Sequence, residues 1–120
     1  MMGIEVIKNA LTGTGAVVHQ FSAPPNEKPP YIVYAPDGAN DFEAGGIHAE
    51  KVTEGTIDLY TANDGDPLIS AIETALDNLA HTNTITWYLN SIQYETEAGT
   101  PASGYTGLIH YEWVFQIGGR

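Results

Sequence analysis

The chain contains no cysteine, few basic residues and no long apolar run. The absence of cysteine from 120 residues excludes disulfides, thiolate metal sites and a cysteine nucleophile, and it leaves the redox compartment open. No apolar run approaches the roughly 20 residues of a transmembrane helix. Residues 1–15 lack the basic stretch and apolar segment of a secretory signal. We therefore expect neither a membrane span nor a standard export signal.

Basic residues are scarce relative to acidic ones. Four Lys and Arg residues oppose 15 Asp and Glu residues, and the net charge is −11. The basic residues are far apart in sequence, at Lys8, Lys28, Lys51 and Arg120. Binding to nucleic acid or to anionic lipid requires clustered positive charge. The composition therefore predicts no sequence-specific nucleic-acid binding and no membrane binding.

Motifs for catalysis and for cofactors are also missing. His48-Ala49-Glu50 matches the first half of a zinc-deaminase signature, but the second half requires cysteines. No P-loop, dinucleotide-binding glycine motif or nucleophile elbow is present, and no two histidines are four residues apart on a predicted helix. The acidic segments 37–43 and 63–66 lack EF-hand spacing, so turn formation and helix capping explain them better than calcium. We expect no catalytic, cofactor-binding or metal-binding residues, and hence no enzyme.

Apolar periodicity divides the chain into two helices and five strands. The first helix covers 4–11, and the second starts at Pro67, capped by Asp66, and ends between His81 and Asn83. Strands are predicted at 16–21, 31–34, 48–60, 85–94 and 105–117, with a bulge near Asn90-Ser91. Loops predicted to be flexible lie at about 22–30, 37–46 and 97–104.

The order α-β-β-β-α-β-β predicts one α+β domain over residues 1–120. We expect a single mixed or antiparallel sheet of about five strands, with both helices packed on one face. The second helix and the last strand each carry an apolar stripe, and in a small domain the two stripes have to meet. The predicted core is therefore formed by Leu68, Ile72, Leu76, Leu79, Ile109, Tyr111, Trp113 and Phe115.

Several segments, in this order and spacing, resemble one protein family over roughly residues 4–118. They are Pro30-Tyr31-Ile32-Val33-Tyr34, Asp41-Phe42-Glu43-Ala44-Gly45-Gly46, Thr56-Ile57-Asp58-Leu59-Tyr60-Thr61, the acidic amphipathic helix from Asp66 to Leu79, and His110-Tyr111-Glu112-Trp113-Val114-Phe115. The sequence is similar to the tail-terminator (tail-completion, neck) proteins of long-tailed, non-contractile bacteriophages and prophages of Gram-positive hosts.

The resemblance implies a non-enzymatic virion protein. Such a subunit assembles as a ring, expected to be a hexamer, that caps the tail tube and offers a surface for head–tail joining. Its implied partners are other copies of itself, the tail-tube protein and the head-completion or connector protein. Its implied location is the tail or neck of the virion, and the bacterial host cytoplasm during assembly.

Within the predicted 37–46 loop, few apolar anchors and many polar groups indicate a segment that a partner orders. The expected interface residues are Asp37, Asp41, Phe42 and Glu43. Two alternatives remain open. One is another head–tail connector or minor virion protein; the other is an acidic DNA-mimic or inhibitor protein, whose carboxylates would crowd one face of a monomer.

Overall fold

The computed structural model describes residues 4–44, 47–82, 85–95 and 108–118, with the backbone alone described for residue 95 and for the strand residues between 37 and 52. Its elements are α1 (Ile4–Thr12), β1 (Val18–Gln20), β2 (Tyr31–Ala44), β3 (Ile47–Thr61), α2 (Pro67–Thr82), β4 (Ile85–Glu95) and β5 (Leu108–Ile117). This order confirms the predicted α-β-β-β-α-β-β succession and the α+β class.

The five strands form one mixed sheet in the order β1-β2-β3-β5-β4. Strand β1 pairs in parallel with β2, with Val18 opposite Ile32, whereas the other neighbours are antiparallel. The register between β4 and β5 shifts between Leu89 and Ser91. This shift confirms the bulge predicted near Asn90-Ser91.

Both helices pack on the same face of the sheet, and the core lies between them. Helix α1 buries Ile7 and Leu11, and α2 buries Ile72 and Leu76. These side chains form one cluster with the inward-facing residues Ile32, Tyr34, Ile57, Leu59, Ile85, Ile109, Tyr111, Trp113, Phe115 and Ile117. Leu68 and Leu79 are half-buried at its border. The opposite face of the sheet carries no described helix and is called the open face below.

Helix α2 begins where its sequence indicates. The Asp66 carboxylate accepts a hydrogen bond from the Leu68 backbone N–H at 2.8 Å, and Pro67 occupies the first helical position, where an N–H is not needed. The other carboxylate oxygen of Asp66 accepts the Thr61 hydroxyl at 2.6 Å. Since Asp66 and Thr61 are both buried, this pair ties the end of β3 to the start of α2.

The predicted loop at 37–46 is wrong for residues 37–44, which belong to β2. Pro36 and Gly38 flank a register shift, a position at which proline is tolerated, and the strand does not end there. Beyond it, β2 continues opposite β3, and Asp41 and Glu43 lie across from Lys51 and His48. The pairing with β3 supplies backbone partners for this segment. The local turn signal was therefore overridden by the partner strand.

The paired outer ends of β2 and β3 extend past the rest of the sheet. Strand β5 pairs with β3 from Thr53 to Thr61, so within the described chain residues 47–52 pair with β2 alone. We call this two-stranded extension, residues 40–44 and 47–52, the arm. At about 3.3 Å per residue, β3 spans roughly 50 Å, and the molecule measures 60 × 26 × 22 Å. The predicted loop at 97–104 lies outside the described residues, and the flexibility of 22–30 stays a prediction.

Candidate assembly interface

Exposed apolar side chains mark the two outer edges of the sheet. In the part of the chain whose side chains are described, six large hydrophobic residues are exposed: Val17, Phe21, Tyr88, Leu89, Ile92 and Tyr94. Val17 and Phe21 flank β1, and the other four lie on β4. Strands β1 and β4 are the opposite edges of the sheet. The exposed apolar surface is therefore concentrated at the two edges.

Three of the β4 residues form an apolar strip on the helix-side face. Leu89, Ile92 and Tyr94 are paired with Trp113, Tyr111 and Ile109 of β5, whose side chains point into the core. At the start of β4, Ile85 is buried and Trp87 packs against the core. Further along β4 the strip is exposed, although its partners on β5 are buried. Tyr88 points to the open face, opposite Val114.

A buried tyrosine of β5, Tyr111, lies next to the strip. Burial is the main factor that raises the pKa of Tyr111 above its ordinary value, and the nearby charges of Tyr94 and Asp64 raise it further. The Gly65 N–H donates a hydrogen bond to the Tyr111 hydroxyl and acts in the opposite direction. Ile92 of the strip is paired with Tyr111 on β5, so the strip lies beside this buried ring.

The open face carries a row of rings that crosses four strands. Tyr31 stacks on Tyr60 with ring centroids 5.1 Å apart, and Tyr60 stacks on His110 at 4.3 Å. His19 meets Tyr31 edge-on at 6.5 Å. His110 Nε2 donates a hydrogen bond to Asp58 Oδ1 at 2.6 Å, and His19 Nε2 to the Glu27 carboxylate. These contacts bind neighbouring strands to one another across the open face.

Several carboxylates lie on the open face together with the row of aromatic rings. Asp58 and Glu112 lie directly opposite each other on β3 and β5. Glu112 accepts a hydrogen bond from the Asn90 amide at 2.9 Å, and Glu54 accepts one from the Gln116 amide at 3.0 Å. Among the strand residues whose side chains are described, none is Lys or Arg. The open face is therefore acidic as well as aromatic.

Comparison with known proteins gives a distant structural likeness. No protein-family model and no curated protein matches the chain. Among solved structures, it is similar to a chain from the virion of a native gene transfer agent (GTA) particle, with 11% identity, a TM-score of 0.47 and coverage of 94% of this chain and 92% of that chain. A second solved chain is 13% identical over 98% of this chain and 96% of its own length, with a TM-score of 0.35. Likeness of this degree does not by itself indicate a shared function.

A shallow groove separates the two helices on the outer surface. It has a volume of about 790 Å³ and is lined mainly by small and polar residues, among them Ala10 and Gly13 of the α1 end and Ala71, Thr74 and Asn78 of α2. No His, Asp or Glu side chain lines it. The groove therefore lacks the titratable groups that acid–base catalysis requires.

The described residues show neither a metal-binding cluster nor a membrane-spanning helix. Over that part of the chain, no group of three or more His, Asp or Glu residues is arranged to hold a metal ion. Asp66, in one of the two acidic segments, caps α2. Over the same residues, no helix is long and apolar enough to cross a membrane.

The interface residues expected from sequence lie on the arm or at its base. Asp37, Asp41, Phe42 and Glu43 are all in β2, and their side chains are outside the described part of the structure. Sequence reasoning missed the residues at the sheet edges, above all Phe21 and Tyr94. An alternating apolar pattern does not show which part of a strand a helix covers. The exposed apolar residues of β4 could therefore not be distinguished from buried ones in the sequence.

Proposed function

We propose that this protein is a virion structural subunit that assembles head to tail into a ring, caps a phage tail tube and offers a surface for head–tail joining. The observation that carries the proposal is the concentration of exposed apolar side chains at β1 and β4, the opposite edges of the sheet. A subunit with different adhesive patches on opposite sides forms heterologous contacts, and these close into a ring when the rotation permits.

The family resemblance supplies the more specific part of the proposal. The segments that carry it lie in β2, β3, α2 and β5, so it covers the three central strands of the sheet and one helix rather than one motif. A hexameric ring on the last tube ring, the tail-tube protein and the head connector as partners, and a place in the neck of the virion follow from this resemblance. The arm, which projects beyond the sheet, is the element we assign to contacts along the ring axis.

The acidic open face is the surface we place toward the channel of the ring. Glu54, Asp58 and Glu112 lie on it, and DNA that passes through a ring is repelled by acidic walls and does not adhere. The helices α1 and α2 then cover the outside. A DNA mimic would instead crowd its carboxylates on one face. The described carboxylates are spread over both helices, the segment between β1 and β2, the open face and the turn before α2.

Tube growth in vitro tests the capping activity. The tail-tube protein of the parent phage or prophage is polymerised with and without this protein, and tube lengths are measured by electron microscopy. We expect substoichiometric amounts of the protein to shorten the tubes and to appear as extra density at one end. Unchanged tube lengths, with no protein bound at the ends, would contradict the proposal.

A further inference from the structure

Phe21 is held in a backbone conformation that a bulky residue rarely adopts. Its φ is 74°, in the left-handed region, and its side chain is 64% exposed. The conformation is fixed by two hydrogen bonds, from the Phe21 N–H to the Tyr34 carbonyl and from the Ser22 N–H to the Gln20 carbonyl, each 2.9 Å long. Such a conformation is unfavourable for a residue with a side chain, and a ring that is mostly exposed recovers little of this cost by burial in the subunit.

The bulge in β4 builds the strip on the opposite edge. In a regular strand, Leu89 would point to one face and Ile92 and Tyr94 to the other. The one-residue register shift after Leu89 places all three on the helix-side face, paired with buried residues of β5. A bulge of this kind redirects side chains. Two local irregularities, one at each edge, therefore present apolar groups outward.

Charge distinguishes the two edges. The described lysines, Lys8 of α1 and Lys28 between β1 and β2, belong to the half of the molecule that contains β1, where Glu5 and Glu27 balance them. In the half that contains α2 and β4, the described charged side chains are acidic, among them Asp64, Glu73 and Asp77. Two β4 edges would bring two acidic halves together, whereas a β4 edge and a β1 edge bring an acidic half against one whose described charges balance, so the mixed contact has less like-charge repulsion.

We infer that Phe21 of one copy packs on the strip formed by Leu89, Ile92 and Tyr94 of the next copy, so that Phe21 anchors the subunit junction. The inference rests on the proposed ring. Because β4 runs opposite to β1 in the sheet, the two edges meet in antiparallel orientation in a ring whose subunits share one strand direction. The occupant of the strip is thus a second copy of this chain.

The natural absence of cysteine allows a clean cross-linking test. Gln20→Cys places a thiol on β1 and Gln93→Cys places one on β4, and both positions are exposed. With a short bismaleimide, we expect cross-linked dimers when the two single variants are mixed, and a ladder of larger species from the double variant. The matched control pairs Gln20→Cys with Asn78→Cys, on the exposed surface of α2, and should give neither product. Dimers formed by either single variant alone would overturn the inference.

Side-chain truncation tests the anchor itself. Phe21→Gly removes the ring at a position where glycine is the preferred residue, so the fold should be kept while subunit association weakens at least tenfold. Tyr94→Ala should weaken association as well, whereas Tyr88→Ala, on the other face of the same strand, should not. Unchanged association of the Phe21 and Tyr94 variants, measured by sedimentation, would refute the anchor role.

The two proposals can fail separately. If edge variants assemble like the wild-type chain and the wild-type chain still caps tubes, the ring role stands and the edge contact is wrong. Cross-links that form with the tail-tube protein, and not between copies of this chain, would also overturn the edge contact.

Discussion

At the scale of the residue, Gly55 shows how tightly the centre of the sheet is packed. A Cβ atom at this position would lie 2.5 Å from the Ala35 carbonyl oxygen and 2.5 Å from the Phe115 ring. The Gly55→Ala substitution should therefore lower the free energy of unfolding by about 1–3 kcal/mol. Gly13→Ala is the control, because its Cβ would come no closer than 3.4 Å to another heavy atom. Equal stability of the two variants in urea unfolding would contradict this packing.

Because of Tyr34, the free energy of unfolding should depend on pH in the alkaline range. Burial, and next the charge of Glu5, raises the pKa of Tyr34 above its ordinary value of 10.0. The folded state favours the neutral phenol, so this stabilisation is fully present below pH 10 and is lost as pH rises through the raised pKa. In Tyr34→Phe, the free energy of unfolding should fall less between about pH 9 and about pH 11 than in the wild-type chain. The exposed Tyr88→Phe is the control, and equal slopes for both variants would exclude this role of Tyr34.

At the scale of the element, Asp66 connects β3 to α2. Its carboxylate caps the helix and accepts the buried Thr61 hydroxyl. Asp66→Ala removes the cap and leaves a buried hydroxyl without this acceptor, so we expect a loss of about 2–4 kcal/mol in the free energy of unfolding. Asp66→Asn keeps an oxygen acceptor and should lose less. Thermal unfolding of both variants measures the difference, and equal losses would show that the carboxylate oxygens are not the cause.

The elements differ in how far the sequence predicted them. Helix α2 and strand β5 follow from strong local patterns, the Asp66-Pro67 start and the alternation from Ile109 to Ile117, and both are confirmed. Strand β2 could not be delimited, because its outer half contains turn-forming residues and becomes a strand through pairing with β3. The edge residues of β4 could not be identified either, since burial depends on where α2 ends in space and not on the strand's own pattern.

At the scale of the whole molecule, the negative net charge opposes the assembly that the exposed apolar residues at the sheet edges favour. Each subunit carries a net charge of −11, so neighbouring subunits repel at low ionic strength. Salt screens charges over about 8 Å at physiological ionic strength. We therefore expect the mass of the assembly, measured by sedimentation, to increase as salt is raised. An assembly that dissociates with added salt would indicate a junction held by ion pairs, contrary to the apolar edges described.

Deletion of the gene in the parent phage or prophage tests the central claim most directly. Tail lengths and head contents are measured by electron microscopy of the lysate, with complementation by the wild-type gene as the control. The account predicts overlong, head-free tails together with DNA-filled, tailless heads. Normal virions, or heads that fail to package DNA, would contradict the assignment as a tail-capping protein.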